Sequence, residues 1–303
     1  MKRHESPGDA VIPPGPSTLD LHTHTARSDG LLEPVELAAQ AAAAGVRLLS
    51  ITDHDTLAGV REVLAAGVLP RGLELMPGIE LNAVVRDRPE LLESEIHILG
   101  LGVDPDDDAL EEALALQRDG RRFRYGLMVA RLRELGYPIE DALEAMPASG
   151  TDDALGRPRV ARAMIAEGYV VSVEDAFRRY LSHGRPAYVP RAGLGPRACI
   201  ELVRQSGGLA VLAHFSEAPA RLDIMDELIG YGLRGLEVHY RTFDAATVSA
   251  LGQVAQARRL VATGGSDYHG DLEPYAATHA GLWVPPGVEV LLRAALAESA
   301  ITS

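Results

Sequence analysis

Short apolar runs alternate with helical patterns along most of the chain. "TLDLHTH", "RLLSITDH", "LELMPGIELNAV", "EIHILGLGV", "GLAVLAHF", "RGLEVHY" and "LVATGGSDYH" read as strands. Between them, apolar residues at helical spacing predict helices over Pro34–Ala44, Pro196–Gln205, Ile224–Tyr231, Ala245–Arg258 and Val288–Glu298. This alternation predicts an α/β fold, a parallel sheet with covering helices, as an open sheet or a barrel. From about Pro105 to Pro190 no strand pattern appears. "DDDALEEALALQRDGRRFRYGLMVARLRELG" reads as one or two long helices opened by an acidic first turn, and "GRPRVARAMIAEGY" and "SVEDAFRRYLSHG" as two more.

The rhythm divides the chain into a flexible tail over 1–17, a barrel-forming unit over 18–104 and 191–303, and a helical insert over 105–190. The tail is polar and rich in proline and glycine, and it lacks the apolar centre of a signal peptide. No run of about 18 apolar residues exists to span a membrane. The single cysteine, Cys199, excludes a disulfide framework and a cysteine-based zinc site, and it suits a reducing cytoplasm. The net charge of −14 argues against broad binding to duplex nucleic acid. An anionic substrate stays possible, because bound cations reverse the local field.

Residues able to bind metal fall at the strand ends. His22 and His24 end the first strand; Asp53, His54 and Asp55 end the second; "GIELNA" carries Glu80 and Asn82. His97, His214, Glu237 and His239, and Asp267 and His269 follow on the later strands. Residues i and i+2 on a strand point to one side, so His22 with His24, and Asp267 with His269, can converge on one ion. Parallel α/β folds build their sites at the carboxyl ends of strands. A lone histidine such as His97 or His214 is more often a core or rim residue. The joint pattern exceeds what one ion needs and points to a multinuclear site. His4 and His279 lie off strand ends and read as surface; His183 lies in the insert.

The motifs "DLHTHTARSDG", "SITDHDT", "GIELNA", "IHILG", "AVLAHF" and "GGSDYHG" together resemble the polymerase and histidinol phosphatase (PHP) family of metal-dependent phosphoesterases. The resemblance implies a distorted seven-stranded (β/α)7 barrel with three divalent ions, usually manganese, with iron or zinc as options. Carried over by motif, His22, His24, Glu80 and Asp267 would hold one ion. Glu80 would bridge to a second held by His97 and His214. Asp29, His54 and His269 would hold the third. Amidohydrolase barrels also open with a His-x-His pair, but often bridge their metals through a carboxylated lysine, and the only lysine here is Lys2. Within the family, the insert and "LGRPRVARAMIAEGYV…GRPAYVP" are similar to a subgroup that hydrolyses the 3′-phosphate of nucleoside 3′,5′-bisphosphates and has been linked to 5′→3′ trimming of short RNA. Where members commonly have a histidine, this chain has Arg159.

Ester cleavage needs an activated water, neutralised phosphoryl oxygens and a stabilised leaving oxygen, which clustered divalent ions supply. A metal-bound hydroxide is the expected nucleophile, and Asp53, Asp55 and His239 are the candidate proton donors. A second, unreacting phosphate needs its own cradle. Residues 118–191 hold 13 basic residues, all arginine, against 10 acids, so the insert reads as a substrate lid. Arg157 and Arg185, each in a Gly-Arg-Pro context, are the expected phosphate ligands, and Asn82 is a further expected substrate-binding residue. Arg121, Arg122 and Arg124 read as helix surface. The expected partner is a small nucleotide, with short oligonucleotides possible. A histidinol phosphatase and a non-catalytic metal-bound module are the alternatives.

Overall fold

The computed structural model describes residues 17–85, 95–146, 155–270 and 273–301. The expected tail, apart from Ser17, lies outside the described residues, as does His4. Seven strands form one sheet in chain order: β1 (Leu19–Asp20), β2 (Leu48–Ile51), β3 (Glu74–Val84), β4 (Glu95–Leu101), β5 (Leu209–Leu212), β6 (Gly235–Tyr240) and β7 (Val261–Gly265). The edges meet. Leu21 N–H donates to Gly264 O (3.2 Å), Asp267 N–H to His22 O (2.8 Å) and His24 N–H to Tyr268 O (2.9 Å), so the sheet curls into a nearly closed barrel.

The helices over 34–231 are α1 (Pro34–Ala43), α2 (Ala58–Ala66), α3 (Asp108–Glu134), α4 (Glu140–Ala145), α5 (Arg157–Ala166), α6 (Val173–Ala176), α7 (Pro196–Gln205) and α8 (Leu222–Tyr231). α9 (Ala245–Arg258), α10 (Tyr275–Ala280) and α11 (Gly287–Ile301) follow, and a π-helical turn, Phe177–Leu181, continues α6. Local chemistry sets several starts. Proline opens α1 and α7 at a position where its missing N–H is not needed. Asp107 caps α3 through Ala109 N–H and Leu110 N–H, and Asp244 caps α9 through Thr247 N–H. The sequence pattern did not predict α2 or the six-residue α10.

One expectation is overturned. The sheet is not parallel throughout: β4 runs against both β3 and β5, while the other pairs are parallel. The ten residues between β3 and β4 are too few for a crossover, which takes a dozen or more, so the chain turns back beside β3. The reversal has a use. His97 stands at the start of β4, and antiparallel pairing sets it opposite Asn82, at the barrel end where the parallel strands finish.

Alternation sorts the sheet's side chains. Leu49, Ile51, Ile79, Leu81, Ile98 and Leu212 point outward and pack under the helices. Leu19, Leu48, Met76, Leu99 and Val211 belong to a separate buried cluster with Leu282, Val284 and Leu292, whose last member lies on α11. The helical stretch between β4 and β5 has its own apolar cluster, including Met128, Leu132, Val160, Met164 and Leu181. No helix among the described residues is long and apolar enough to cross a membrane.

His279 is a further correction. It is not on the surface: it is 1% exposed and stacked on Tyr275, with ring centroids 5.5 Å apart. α10, which the pattern missed, carries both residues inward.

Candidate metal centre

The nine expected ligands converge at one end of the barrel. His22 and His24 are wholly buried. His22 Nε2 lies 3.4 Å from Glu80 Oε2 and 3.3 Å from Asp267 Oδ1; His24 Nε2 lies 3.1 Å and 3.3 Å from the same two oxygens. The fit explains Gly265, where a Cβ would stand 2.3 Å from the His22 Cβ. Glu80 sits in the middle. Its other oxygen meets His97 Nδ1 (2.8 Å) and His214 Nε2 (3.4 Å), and Oε2 also meets His54 Nδ1 (3.1 Å). Asp29 gathers His269 (3.3 Å), His24 (3.6 Å) and His54 (3.8 Å), and His24 stacks on His269 at 4.2 Å.

Four overlapping groups have ligand atoms close enough to share an ion: His24, Asp29, His54 and His269; His22, His24 and Asp267; His22, Glu80 and His214; and His54, Glu80 and His97. Six imidazoles and three carboxylates make a donor set that suits manganese, iron or zinc. The Nε2 atoms of His22 and His24 are buried and make no hydrogen bond, as expected of atoms that bind a cation. The residues therefore fit divalent metal. Backbone strain is concentrated here too: three of the four non-glycine residues with positive φ among the described residues are Asp55, His214 and Asp267.

The imidazoles and carboxylates of the cluster are electrostatically coupled. Burial opposes the charge on Glu80, but the imidazoles of His54, His97 and His22 hold its carboxyl well below the usual range. Asp29 and Asp267 are half-buried, and their carboxyls are lowered by His269 and His54 and by His22 and His269 respectively. Burial drives the His54 ring down to about 3, while His24, despite its burial, is pushed up to about 10 by Asp267 and Glu80.

The three expected proton donors stand differently. Asp53 is a bracket: it accepts from Thr25 N–H, Thr25 Oγ1 and Ser28 Oγ, each at 2.7 Å, and Gly59 leaves it room, since a Cβ there would come within 2.2 Å of Asp53 Oδ2. Asp55 is buried and ion-paired with Arg121 and Arg191, which hold its carboxyl down at about 2, so it has no proton to give near neutrality. His239 has no hydrogen bond or ion pair among the described residues. The cause is a bulge in β6: Glu237 pairs with Thr263 and His239 with the next residue, Gly264, which breaks the i, i+2 rule. Tyr240 takes the inward place instead, donating from its hydroxyl to Asp267 Oδ2 (2.7 Å).

Around the ligands lie residues outside the nine carried over by motif. Glu237, wholly buried, accepts from His22 Nδ1 (3.1 Å) and from the His214 N–H (2.7 Å). Its place at the end of an apolar strand pattern had already put it among the residues able to bind metal. Beside the cluster stands a wall of arginine. Arg191 pairs with Asp55 (2.9 Å) and Glu95 (3.2 Å), and Arg157 with Glu95 (3.0 Å) while lying over the Phe177 ring at 5.2 Å. Contrary to the surface reading, Arg124 is buried and the Arg121 side chain is only 11% exposed; Arg122 of that run is an exposed partner of Asp119. The long-range partners Asp55 and Val189 O draw the other two inward. Arg185 is exposed in a turn, with no side-chain hydrogen bond or ion pair among the described residues.

Comparison with known proteins bears on this geometry. Residues 20–153 match the PHP domain. The chain is 34% identical to the 5′-3′ exoribonuclease Rnm of Salmonella typhimurium, over 89% of this chain and 91% of that protein. It is 32% identical to the 3′,5′-nucleoside bisphosphate phosphatase of Chromobacterium violaceum, over 84% and 87% respectively. A crystal structure from Bifidobacterium adolescentis, assigned as a metal-dependent phosphoesterase, superposes with a TM-score of 0.75 at 31% identity, over 91% of this chain and 95% of that one.

Proposed function

Because the chain belongs to the PHP family of metal-dependent phosphoesterases, we propose that it hydrolyses the 3′-phosphate of nucleoside 3′,5′-bisphosphates, releasing phosphate and the nucleoside 5′-monophosphate. The observation that carries the reading is the meeting of the six imidazoles and three carboxylates beside a buried arginine wall. The similarity to the Chromobacterium violaceum phosphatase supports it.

His22, His24, Glu80 and Asp267 would hold one divalent ion, His97 and His214 with Glu80 a second, and Asp29, His54 and His269 a third, with manganese the first choice. Such ions, when bound, lower the pKa of a water and neutralise phosphoryl oxygens. The chain's own residues do the rest. Water attacks phosphorus, the P–O3′ bond breaks, and O3′ leaves with a proton. Glu80 ties five imidazoles to one carboxylate, so the ligands are set before substrate arrives. Glu237 holds His22 by Nδ1 and leaves Nε2 facing the centre. The arginine wall orients an anionic substrate.

The manganese-loaded protein should release phosphate from adenosine 3′,5′-bisphosphate and leave adenosine 5′-monophosphate. Release from histidinol phosphate alone, or from neither, contradicts the reading. The likeness to Rnm supports a second activity: stepwise trimming of short 5′-phosphorylated RNA, read as mononucleotide release from a labelled trinucleotide.

A further inference from the structure

We infer that Arg121 and Arg191, positioned by the Asn82 carbonyl, form the seat of the substrate's second, unreacting phosphate, and that the Asp55 carboxylate occupies it as an internal counter-anion until substrate displaces it. The inference rests on the bisphosphate reading above and adds the residues and the exchange.

Both guanidinium groups converge on one carboxylate oxygen, Asp55 Oδ2. Both side chains are only 11% exposed. They also converge on Asn82. With its amide nitrogen donating to His97 Nε2 (2.8 Å), the Asn82 oxygen accepts from Arg121 (2.7 Å) and Arg191 (3.1 Å). The opposite orientation sets the amide nitrogen against two cationic donors. Its contacts to Asp55 (3.3 Å) and His54 (3.4 Å) are too long to offset that. Two planar donor forks, held by one amide oxygen and aimed at one small anion, match the shape of a phosphate.

Placement agrees. Asn82 lies two residues beyond Glu80 on the same face of β3, a step of about 6.6 Å along the strand. Two phosphates on one ribose are held apart by the sugar, so a reacting phosphate at Glu80 leaves the other to a neighbouring seat. Asp55 is held for its task by the backbone. Its φ is +53°, its N–H donates to Glu80 O (3.0 Å), and its carbonyl accepts from Arg118 (3.0 Å). The two seat arginines crowd each other: burial and the neighbouring Arg121 together lower Arg191, while Asp55 keeps Arg121 raised against its burial. An incoming dianion relieves that crowding.

The exchange has a counter-intuitive consequence. Neutralising Asp55 removes a competitor for the same donors, so anions should bind more tightly. The probe is adenosine 5′-monophosphate, which carries only the unreacting phosphate, titrated calorimetrically into manganese-loaded protein. Asp55→Asn keeps the size and tolerates positive φ; it should tighten binding by about tenfold. Arg121→Lys keeps the charge and loses the fork; it should weaken binding by about tenfold. It should also raise KM for adenosine 3′,5′-bisphosphate more than for adenosine 3′-monophosphate. Unchanged or weaker binding in Asp55→Asn overturns the counter-anion role. Binding within twofold of wild type in Arg121→Lys, with equal KM effects on both substrates, overturns the seat. Binding needs no turnover. A protein that binds as stated but cleaves no bisphosphate refutes the proposed function and leaves the seat standing; the reverse pattern refutes only the seat.

Discussion

Glu237 Oε1 lies 3.1 Å from His22 Nδ1, and its other oxygen accepts the His214 N–H at 2.7 Å. One buried carboxylate thus orients the His22 imidazole and ties down the His214 backbone, two residues that follow different strands. It fixes the His22 tautomer with Nε2 directed at Glu80 and Asp267, and it anchors the strained backbone of His214, whose φ is +32°. Such outer partners typically govern metal affinity by 10- to 100-fold. Glu237→Gln should therefore weaken manganese binding by about that factor, with turnover largely recovered at saturating manganese. Metal titration followed by activity at high metal checks both halves.

Glu80 and Asp29 predict different losses. Glu80 meets five imidazoles, whereas Asp29 meets His24, His54 and His269. Glu80→Gln should strip more metal from the purified protein than Asp29→Asn does. Metal analysis by mass spectrometry decides it, and equal contents in the two variants would refute the central role of Glu80. His22→Ala should lower metal content and abolish turnover while far-ultraviolet circular dichroism stays near wild type.

The legible parts of this site were local. A His-x-His pair on a strand and an Asp-x-His pair after another announce themselves, because the two-residue period fixes a shared side. α7, whose apolar residues recur at helical spacing, was legible for a parallel reason and runs over the residues its pattern predicted. What stayed hidden was set by distant partners. Arg121 is drawn inward by Asp55, 66 residues away, and Arg191 by the same carboxylate across 136 residues. A run of arginines on a helix reads as solvated until that partner is known. The β6 bulge is likewise silent in "LEVHY", so His239 looked inward and Tyr240 did not. The reversal of β4 follows from a short connection, which composition alone does not measure.

Arg157 was expected to bind phosphate, but the structure pairs it with Glu95 and lays it over Phe177. Its guanidinium and the Glu95 carboxyl are both close to nine-tenths buried. Arg157→Ala leaves Glu95 more dependent on Arg191 alone. The variant should lose about 1–3 kcal/mol of unfolding free energy, read from urea denaturation. Its effect on the KM ratio between bisphosphate and monophosphate should be smaller than that of Arg121→Lys. A large KM ratio with unchanged stability would restore the original assignment.

His239 gives the pH test. Burial alone lowers its ring to about 4, against an ordinary value of 6.5. The unfolded chain therefore binds a proton at this site between about pH 6.5 and pH 4 that the folded chain refuses. Stability is unaffected above pH 6.5 and falls as the pH drops through that window. His239→Gln removes the linkage. Its melting temperature, relative to wild type, should rise between pH 7.5 and pH 5. Because the bulge turns His239 from the cluster, kcat at pH 7.5 should change little. A loss of turnover with an unchanged acid limb would show that His239 serves the reaction instead.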